Sequence, residues 1–168
     1  MMTKSNNYSF FKNHLRRLGY RITMDKKNSD IRVEIPLDGK LSTTEMHIVF
    51  DDFAVTLYAY VQPVVDEKSR ASAMEYLIRA NHLITNGCFD MSPDSGEVRF
   101  RVSLCCFDRI LLSEVLIRLT ISVPQAMLNY YGDGLLDVMS GVKTAKKAID
   151  AVLKKHRGRV LMRGWPRA

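Results

Sequence analysis

The first half of the chain contains short runs in which apolar and polar residues alternate. Ile31, Val33 and Ile35 alternate with charged residues, and similar runs continue up to residue 61. Because successive side chains of a strand point to opposite faces, this pattern predicts strands with one apolar face. Together with a short run near residues 20–25, it predicts four strands in meander order.

Segments with apolar residues at helical spacing lie before and after these strands. Residues 8–18 are predicted as a first helix and residues 66–85 as a second, with Gly87 as the left-handed residue after its end. A third helix is predicted from about residue 112 to residue 130. The periodicity thus places one helix before the strands and two after them.

A hairpin is predicted between the second and third helices. It runs from Cys88 to Met91, turns at residues 93–96 and returns through residues 98–104, where the alternation is the clearest in the chain. The complete order is α-β-β-β-β-α-β-β-α. The sequence therefore predicts an α+β fold, an antiparallel β-sheet with helices packed on it.

The third predicted helix is apolar on two sides, and such a helix must be covered on both. The two stripes consist of Leu112, Leu116, Leu119 and Val123, and of Ile117, Ile121 and Leu128. The sheet covers one side, and another helix or a second subunit must cover the other. We therefore predict a protein or dimer interface at Ile117, Ile121 and Leu128. We also expect Pro124 to kink the helix and residues 132–134, which contain two glycines, to follow its end.

Basic residues are concentrated near the C-terminal end. The formal net charge is +7, and residues 143–168 hold nine Lys and Arg against one acid. We divide the chain into an α+β domain, residues 1–141, and a basic helical or disordered tail, residues 142–168. The tail either binds nucleic acid or another anionic surface, or only keeps the protein in solution. Its candidate anion-binding residues are Lys146, Lys147, Lys154, Lys155, Arg157, Arg159 and Arg163.

The sequence contains no motif that indicates catalysis. Its four histidines lie on separate predicted elements without metal-ligand spacing, and we find no nucleophile elbow and no phosphate-binding loop. These observations predict a protein that is not an enzyme and uses neither a metal nor a cofactor.

Hydropathy and cysteine content indicate the compartment. No run of about 18 apolar residues occurs, so no integral membrane segment is predicted, and the polar N-terminus lacks the apolar core of a signal peptide. Cys88, Cys105 and Cys106 show no disulfide spacing, which suits a reducing environment. We expect a cytoplasmic protein.

Some polar residues carry more specific expectations. Asn81 lies on the apolar side of the second helix, where its amide either contacts a ligand or, as we favour, satisfies backbone groups of the helix end and the hairpin. Gly87 and Gly96 are structural in the same sense. Arg99 and Arg101 share one strand face, which either meets acidic segments or phosphates or is simply solvated.

Three pieces of sequence form a known pattern. Asn81 comes late in the second helix, Gly87-Cys88-Phe89 opens the hairpin, and Asp94-Ser95-Gly96 precedes the Arg-rich strand. In this order they resemble the YbjN domain family of bacterial sensory transduction regulators, which is similar in fold to the class I type III secretion chaperones. The resemblance covers about residues 8–140. It implies helices packed on an antiparallel sheet, often in a dimer, without catalytic residues. The secretion chaperones bind unfolded protein segments and are typically acidic, and this chain differs in that respect.

Two functions are therefore expected. The first is a non-enzymatic protein-binding or adaptor module with a regulatory role, whose sheet and third helix form the surface for a protein partner or a homodimer. The second is a nucleic-acid-associated protein that binds through the basic residues 143–168. The sequence identifies neither the partner nor the biological process.

Overall fold

A computed structural model describes residues 4–25, 30–105 and 113–156. The predicted α+β class is confirmed, with six strands and four helices in the described ranges. The elements in chain order are α1 (Lys4–Arg17), β1 (Ile22–Asp25), β2 (Asp30–Pro36), β3 (Thr43–Phe50), β4 (Ala54–Val61), α2 (Arg70–Asn81), β5 (Cys88–Met91), β6 (Val98–Cys105), α3 (Glu114–Met139) and α4 (Ala145–His156). No helix of these ranges is long and apolar enough to cross a membrane.

The strands form one antiparallel sheet in the order β1-β2-β3-β4-β6-β5. The register places apolar residues of neighbouring strands side by side. Ile31, Ile48, Leu57 and Val102 form one row across four strands, and all four are buried. Because a shift by one residue would move such a row to solvent, the alternating pattern fixes the register.

The helices supply the other half of the core. Phe11 of α1 packs edge-on against Phe50 of β3, with ring centroids 5.4 Å apart. The Tyr76 hydroxyl on α2 donates a hydrogen bond of 2.7 Å to the backbone oxygen of Tyr131 on α3, and the ring of Tyr131 meets Phe89 of β5. These aromatic contacts join the first, second and third helices to the inner face of the sheet.

Helix α3 is longer than predicted. The expected end near residue 130 is wrong, because the helix has 26 residues and continues through Pro124 and residues 132–134 to Met139. A glycine occupies position 134, inside the helix, because it lets α2 approach closely. A Cβ at this position would collide with the Tyr76 hydroxyl. Close packing of this kind offsets the cost of about 1 kcal/mol for glycine inside a helix.

The predicted interface on α3 is also wrong. Ile117, Ile121 and Leu128 are at most 2% exposed and belong to the core of the single chain. In the other stripe Leu116 and Val123 are partly buried against the core, and Leu119 is 56% exposed. Periodicity showed two apolar sides of the helix, but the fold decides which of them the sheet covers.

The predicted domain boundary between residues 141 and 142 falls inside the packed structure. Helix α4 lies against α2 and α3, and its inward side is buried at Ala145, Ala148, Ile149 and Val152. The folded unit therefore extends at least to His156. The apolar side of this basic, amphipathic helix completes the core.

Gly96 and Gly87 both have a positive φ, but the predicted role of Gly87 at the end of the second helix is wrong. Gly96 has a φ of +76° in the β5–β6 turn, where its carbonyl accepts a hydrogen bond of 3.0 Å from the Val65 amide. A Cβ there would collide with the Val65 carbonyl. Gly87 has a φ of +84°, but it leads into β5 and does not cap α2, which ends at Asn81.

Candidate functional site

The side of the sheet opposite the helices forms a candidate binding surface, which we call the outer face. It consists of the alternate residues of β2 to β6 that point away from the core. None of these residues is buried in the described part of the chain. The charged, aromatic and thiol side chains of the outer face are Asp30, Arg32, Glu34, Glu45, His47, Tyr58, Tyr60, Cys88, Asp90, Arg99, Arg101 and Cys105.

One row of the outer face is basic. The strand register places Arg32 beside His47, His47 beside Tyr58, and Tyr58 beside Arg101. Cys88 on the edge strand continues the row. We call these five residues the basic row, since two arginines and a histidine lie on it and no carboxylate does.

The neighbouring row has the opposite character. Glu34 lies beside Glu45, and continuation of the Met46–Ala59 register places Glu45 beside Tyr60. Tyr60 is next to Arg99, which in turn pairs with Asp90. We call Glu34, Glu45, Tyr60, Arg99 and Asp90 the acidic row, because three carboxylates on it face a single arginine.

Diagonal contacts connect the two rows. The Arg99 guanidinium lies over the Tyr58 ring at 4.4 Å, and the rings of His47 and Tyr60 are 4.7 Å apart. Cation–π contacts of this type are worth about 0.5–1 kcal/mol at exposed sites. They hold the two tyrosines of β4 in fixed orientations at the centre of the outer face.

An ion pair orders the β5–β6 end of the outer face. Arg101 Nε donates to Asp90 Oδ2 at 2.7 Å. Burial works to raise the pKa of Asp90, but the hydrogen bond and charge of Arg101 outweigh it, and the pKa lies below its ordinary value. Burial and the nearby Asp90 raise the pKa of the Cys88 thiol. A protonated thiol is a poor nucleophile. Cys88 at this end of the outer face is therefore suited to contact with another molecule.

The residue types of the outer face are those of binding surfaces. In the described ranges no group of His, Cys, Asp and Glu could hold a metal ion. Tyrosine and arginine are the residue types that dominate the energetics of protein interfaces. Arg99 and Arg101 were part of the sequence prediction, whereas Arg32 was not. Tyr58 and Tyr60 were missed, although the alternation of β4 already placed them on the polar side of that strand.

A second polar region lies between the β2–β3 loop, α3 and α4. It contains a cleft of 380 Å³ that Asp38, Tyr130, Asp133 and Lys155 help to line. Asp133 accepts a hydrogen bond of 2.7 Å from the Lys40 amide and lies 3.4 Å from the Lys155 ammonium. The charges at this cleft are thus engaged with one another and tie three chain segments together.

Asp137 is the most enclosed of these carboxylates. It accepts hydrogen bonds from the ammonium groups of Lys143, at 2.8 Å, and Lys40, at 2.7 Å. These two bonds hold the pKa of Asp137 below its ordinary value of 3.8. The carboxylate therefore links the β2–β3 loop to the segment that leads into α4.

We expect Asp137→Asn to lower the free energy of unfolding at pH 7 by about 1–2 kcal/mol, because both charge-assisted bonds are weakened while the lysines stay in contact with water. The folded-state pKa is depressed, so the stabilisation is complete above the unfolded value and is lost as the pH falls through the folded value. The difference between variant and wild type should therefore shrink below about pH 4. Urea unfolding at several pH values measures it, with the exposed Asp150→Asn as control. A pH-independent difference would contradict the assignment.

The lysines predicted to bind anions divide into two groups. Lys146, Lys147 and Lys154 are exposed on the outward side of α4, whereas Lys155 pairs with Asp133. The other three predicted residues, Arg157, Arg159 and Arg163, lie outside the described residues, as does Cys106. The exposed lysines keep one side of α4 basic.

Asn81 has the structural role that was predicted. Its side-chain nitrogen donates to the Phe89 carbonyl at 2.9 Å, and its side-chain oxygen accepts from the Phe89 amide at 2.8 Å. The amide of Asn81 therefore satisfies both backbone groups of a residue in the edge strand β5, as another strand would.

No protein-family model matches the chain, and no curated protein is significantly similar to it. The resemblance of about residues 8–140 to the YbjN family stays a prediction.

Proposed function

We propose that this protein is a non-enzymatic binding module of the bacterial cytoplasm that engages a protein partner through the outer face. The observation that carries the proposal is the composition and exposure of that face. Two tyrosines and two arginines lie at its centre, and none of them is buried. Such residues are preformed anchors for a protein interface, since their orientations are fixed before the partner arrives.

The charge of the outer face favours protein over nucleic acid. Arg32, Arg99 and Arg101 are balanced by the carboxylates of Glu34, Glu45 and Asp90. A surface that follows a phosphate backbone needs an excess of positive charge. A mosaic of both signs around aromatic residues fits the mixed surface of another protein. The resemblance to the YbjN family agrees with this proposal, since it implies no catalytic residues.

A second candidate function rests on α4. Lys146, Lys147 and Lys154 lie exposed on its outward side, and residues 157–168 add four arginines in the sequence. This is the charge excess that binding to nucleic acid requires. The alternative is a nucleic-acid-associated protein that uses α4 and the residues after it, while the outer face serves another purpose.

Affinity capture from lysate of the source organism tests the proposed function. We expect Tyr58→Ser/Tyr60→Ser to reduce recovery of partner proteins at least about tenfold, because truncation of central interface aromatics typically costs about 2 kcal/mol or more. Ile78→Ser is the matched control, since Ile78 is 69% exposed on α2, away from the outer face. Thermal unfolding of each variant verifies the fold.

The same capture experiment separates the two candidate functions. Half of each sample is treated with nuclease, and a Lys146→Gln/Lys147→Gln/Lys154→Gln variant is run in parallel. Recovery that persists without these lysines and with nuclease supports the outer face as the binding site. Recovery that is lost in both arms, and is indifferent to Tyr58 and Tyr60, would overturn the proposal in favour of nucleic-acid binding.

A further inference from the structure

Helix α4 runs antiparallel to α3 and covers only the second half of it. The Lys143 ammonium, just before α4, lies 2.8 Å from Asp137, and the ring of His156 stacks on Tyr130 with the ring centroids 4.0 Å apart. Residue numbers therefore rise along α4 as they fall along α3. Because α4 ends at His156, residues 114–129 of α3 continue beyond its end.

The side of α3 that meets α4 continues past this point as an apolar stripe. Residues three and four apart lie on the same side of a helix, and Asp137, Asp133 and Tyr130 contact α4 or the lysine before it at this spacing. The same steps lead to five apolar residues, which we call the α3 stripe: Ala126, Val123, Leu119, Leu116 and Val115. The apolar side of α3 is thus longer than the helix that covers it.

Two members of the α3 stripe lie open to solvent. Leu119 is 56% exposed and Val115 is 66% exposed, whereas Leu116 and Val123 are partly buried against the core. Leu119 and Val115 are four residues apart, so they are neighbours on the helix surface. Exposed apolar residues that cluster, unlike scattered ones, mark places where another segment packs.

The chain itself supplies an apolar segment at the end of this stripe. Residues 157–168, which we call the C-terminal segment, lie outside the described residues and follow His156 directly. They contain the run Val160-Leu161-Met162 and Trp165, the only tryptophan of the chain. Since His156 is stacked on Tyr130, the C-terminal segment begins where the uncovered part of α3 begins.

The spacing along the chain matches the spacing along α3. Tyr130 and Leu119 are eleven residues apart, which is about 16 Å along a helix. The run Val160-Leu161-Met162 lies four to six residues after His156, and that many extended residues span about 13–20 Å. The apolar run is therefore able to reach Leu119.

We propose that the C-terminal segment packs on the α3 stripe of its own chain, with Val160-Leu161-Met162 against Leu119. Trp165, three residues further on, then lies towards Val115. In this arrangement the segment covers the apolar surface that α4 leaves open. The folded unit extends past His156, and the basic residues of the segment are held on the surface of the domain.

The charges at the start of this path agree with the proposal. Asp38 lines the cleft beside the end of α4. The lysine of this cleft, Lys155, pairs with Asp133, and within the described ranges Asp38 forms no salt bridge. Arg157 and Arg159 are the first two basic residues after α4, so an oppositely charged partner lies next to them.

Quenching of Trp165 fluorescence by acrylamide tests the docking in the full chain. A packed indole is shielded, so we expect the variant Val115→Ser/Leu119→Ser to raise the quenching constant at least about twofold over wild type. Leu161→Ser should raise it as well, and adding Leu161→Ser to the double variant should have no further effect. The free energy of unfolding should change little, because burial of the apolar run is largely offset by the entropy lost in ordering it.

A matched control and the contrary outcomes complete the design. Met74 and Ile78 are also exposed and four residues apart, but they lie on α2, so Met74→Ser/Ile78→Ser should leave the quenching constant unchanged. Thermal unfolding verifies the fold of each variant. A wild-type constant equal to that of a synthetic peptide of residues 157–168, or an equal effect of the α2 control, would overturn the proposal. Shielding that increases with protein concentration would also overturn it, because the segment would then pack on a second copy.

Discussion

A chain that ends at Val142 should be much less stable than a chain that ends at His156. The shorter chain lacks α4, whose Ala148, Ile149 and Val152 are buried against α2 and α3. Burial of one large aliphatic side chain contributes about 1.5–3 kcal/mol. The loss should therefore reach about 4 kcal/mol or more, which is a large part of the roughly 5–15 kcal/mol that stabilises a typical domain.

Urea unfolding followed by circular dichroism compares the two truncations with the full chain. The chain that ends at His156 is the control, because it keeps every described residue and removes only residues 157–168. We expect its midpoint to lie close to that of the full chain. A cooperative transition of residues 1–142 at the same midpoint would show that α4 is dispensable, and the domain boundary first drawn from charge would then be restored.

Asn81→Ala should lower the free energy of unfolding by about 2–4 kcal/mol, because it leaves the Phe89 amide and carbonyl without their partners and each unsatisfied buried group costs about 1–3 kcal/mol. Both groups point away from β6, since Asn81 binds them on the open edge of the sheet. An unprotected edge invites pairing with other chains, so we also expect the variant to aggregate more readily. Urea unfolding and light scattering measure the two effects, with His82→Ala as the control.

Asn81→Asp tests the hydrogen-bond geometry itself. An ionised carboxylate accepts from the Phe89 amide but repels the Phe89 carbonyl, whereas the protonated acid donates to that carbonyl. The folded state should therefore raise the pKa of the introduced carboxyl group above the usual value of about 3.9. Its stabilisation is complete below the unfolded pKa and is lost as the pH rises through the folded pKa. A deficit relative to wild type that does not grow from about pH 4 to pH 7 would argue against this geometry.

The edge role of Asn81 and the outer face concern different parts of one sheet. Asn81 closes the hydrogen-bonding groups of β5 at the rim, while the two rows of charge lie on the open surface. The β5 edge is occupied by Asn81 at Phe89 while the outer face is exposed, which favours association through side chains at this end of the sheet. The proposed function of the outer face therefore involves no strand addition at this end.

The local sequence pattern was sufficient to predict the strands and the side of the sheet that is buried. Ile31, Val33 and Ile35 point inward because alternation is a property of the strand backbone itself, and no distant residue is needed to predict it. The role of Asn81 was likewise readable, since a polar side chain on an apolar helix side needs a nearby partner. The hairpin that follows α2 was the nearest source of one.

Only the tertiary structure could decide what depends on distant neighbours. Gly134 lies inside a helix because Tyr76, far away in sequence, packs against it. Leu119 reaches solvent and Ile117 does not, because the orientation of α3 on the sheet selects one of two apolar stripes. The rows of the outer face exist because β6 pairs with β4. Alternation assigns each residue to a face, whereas strand order and register determine which charges become neighbours.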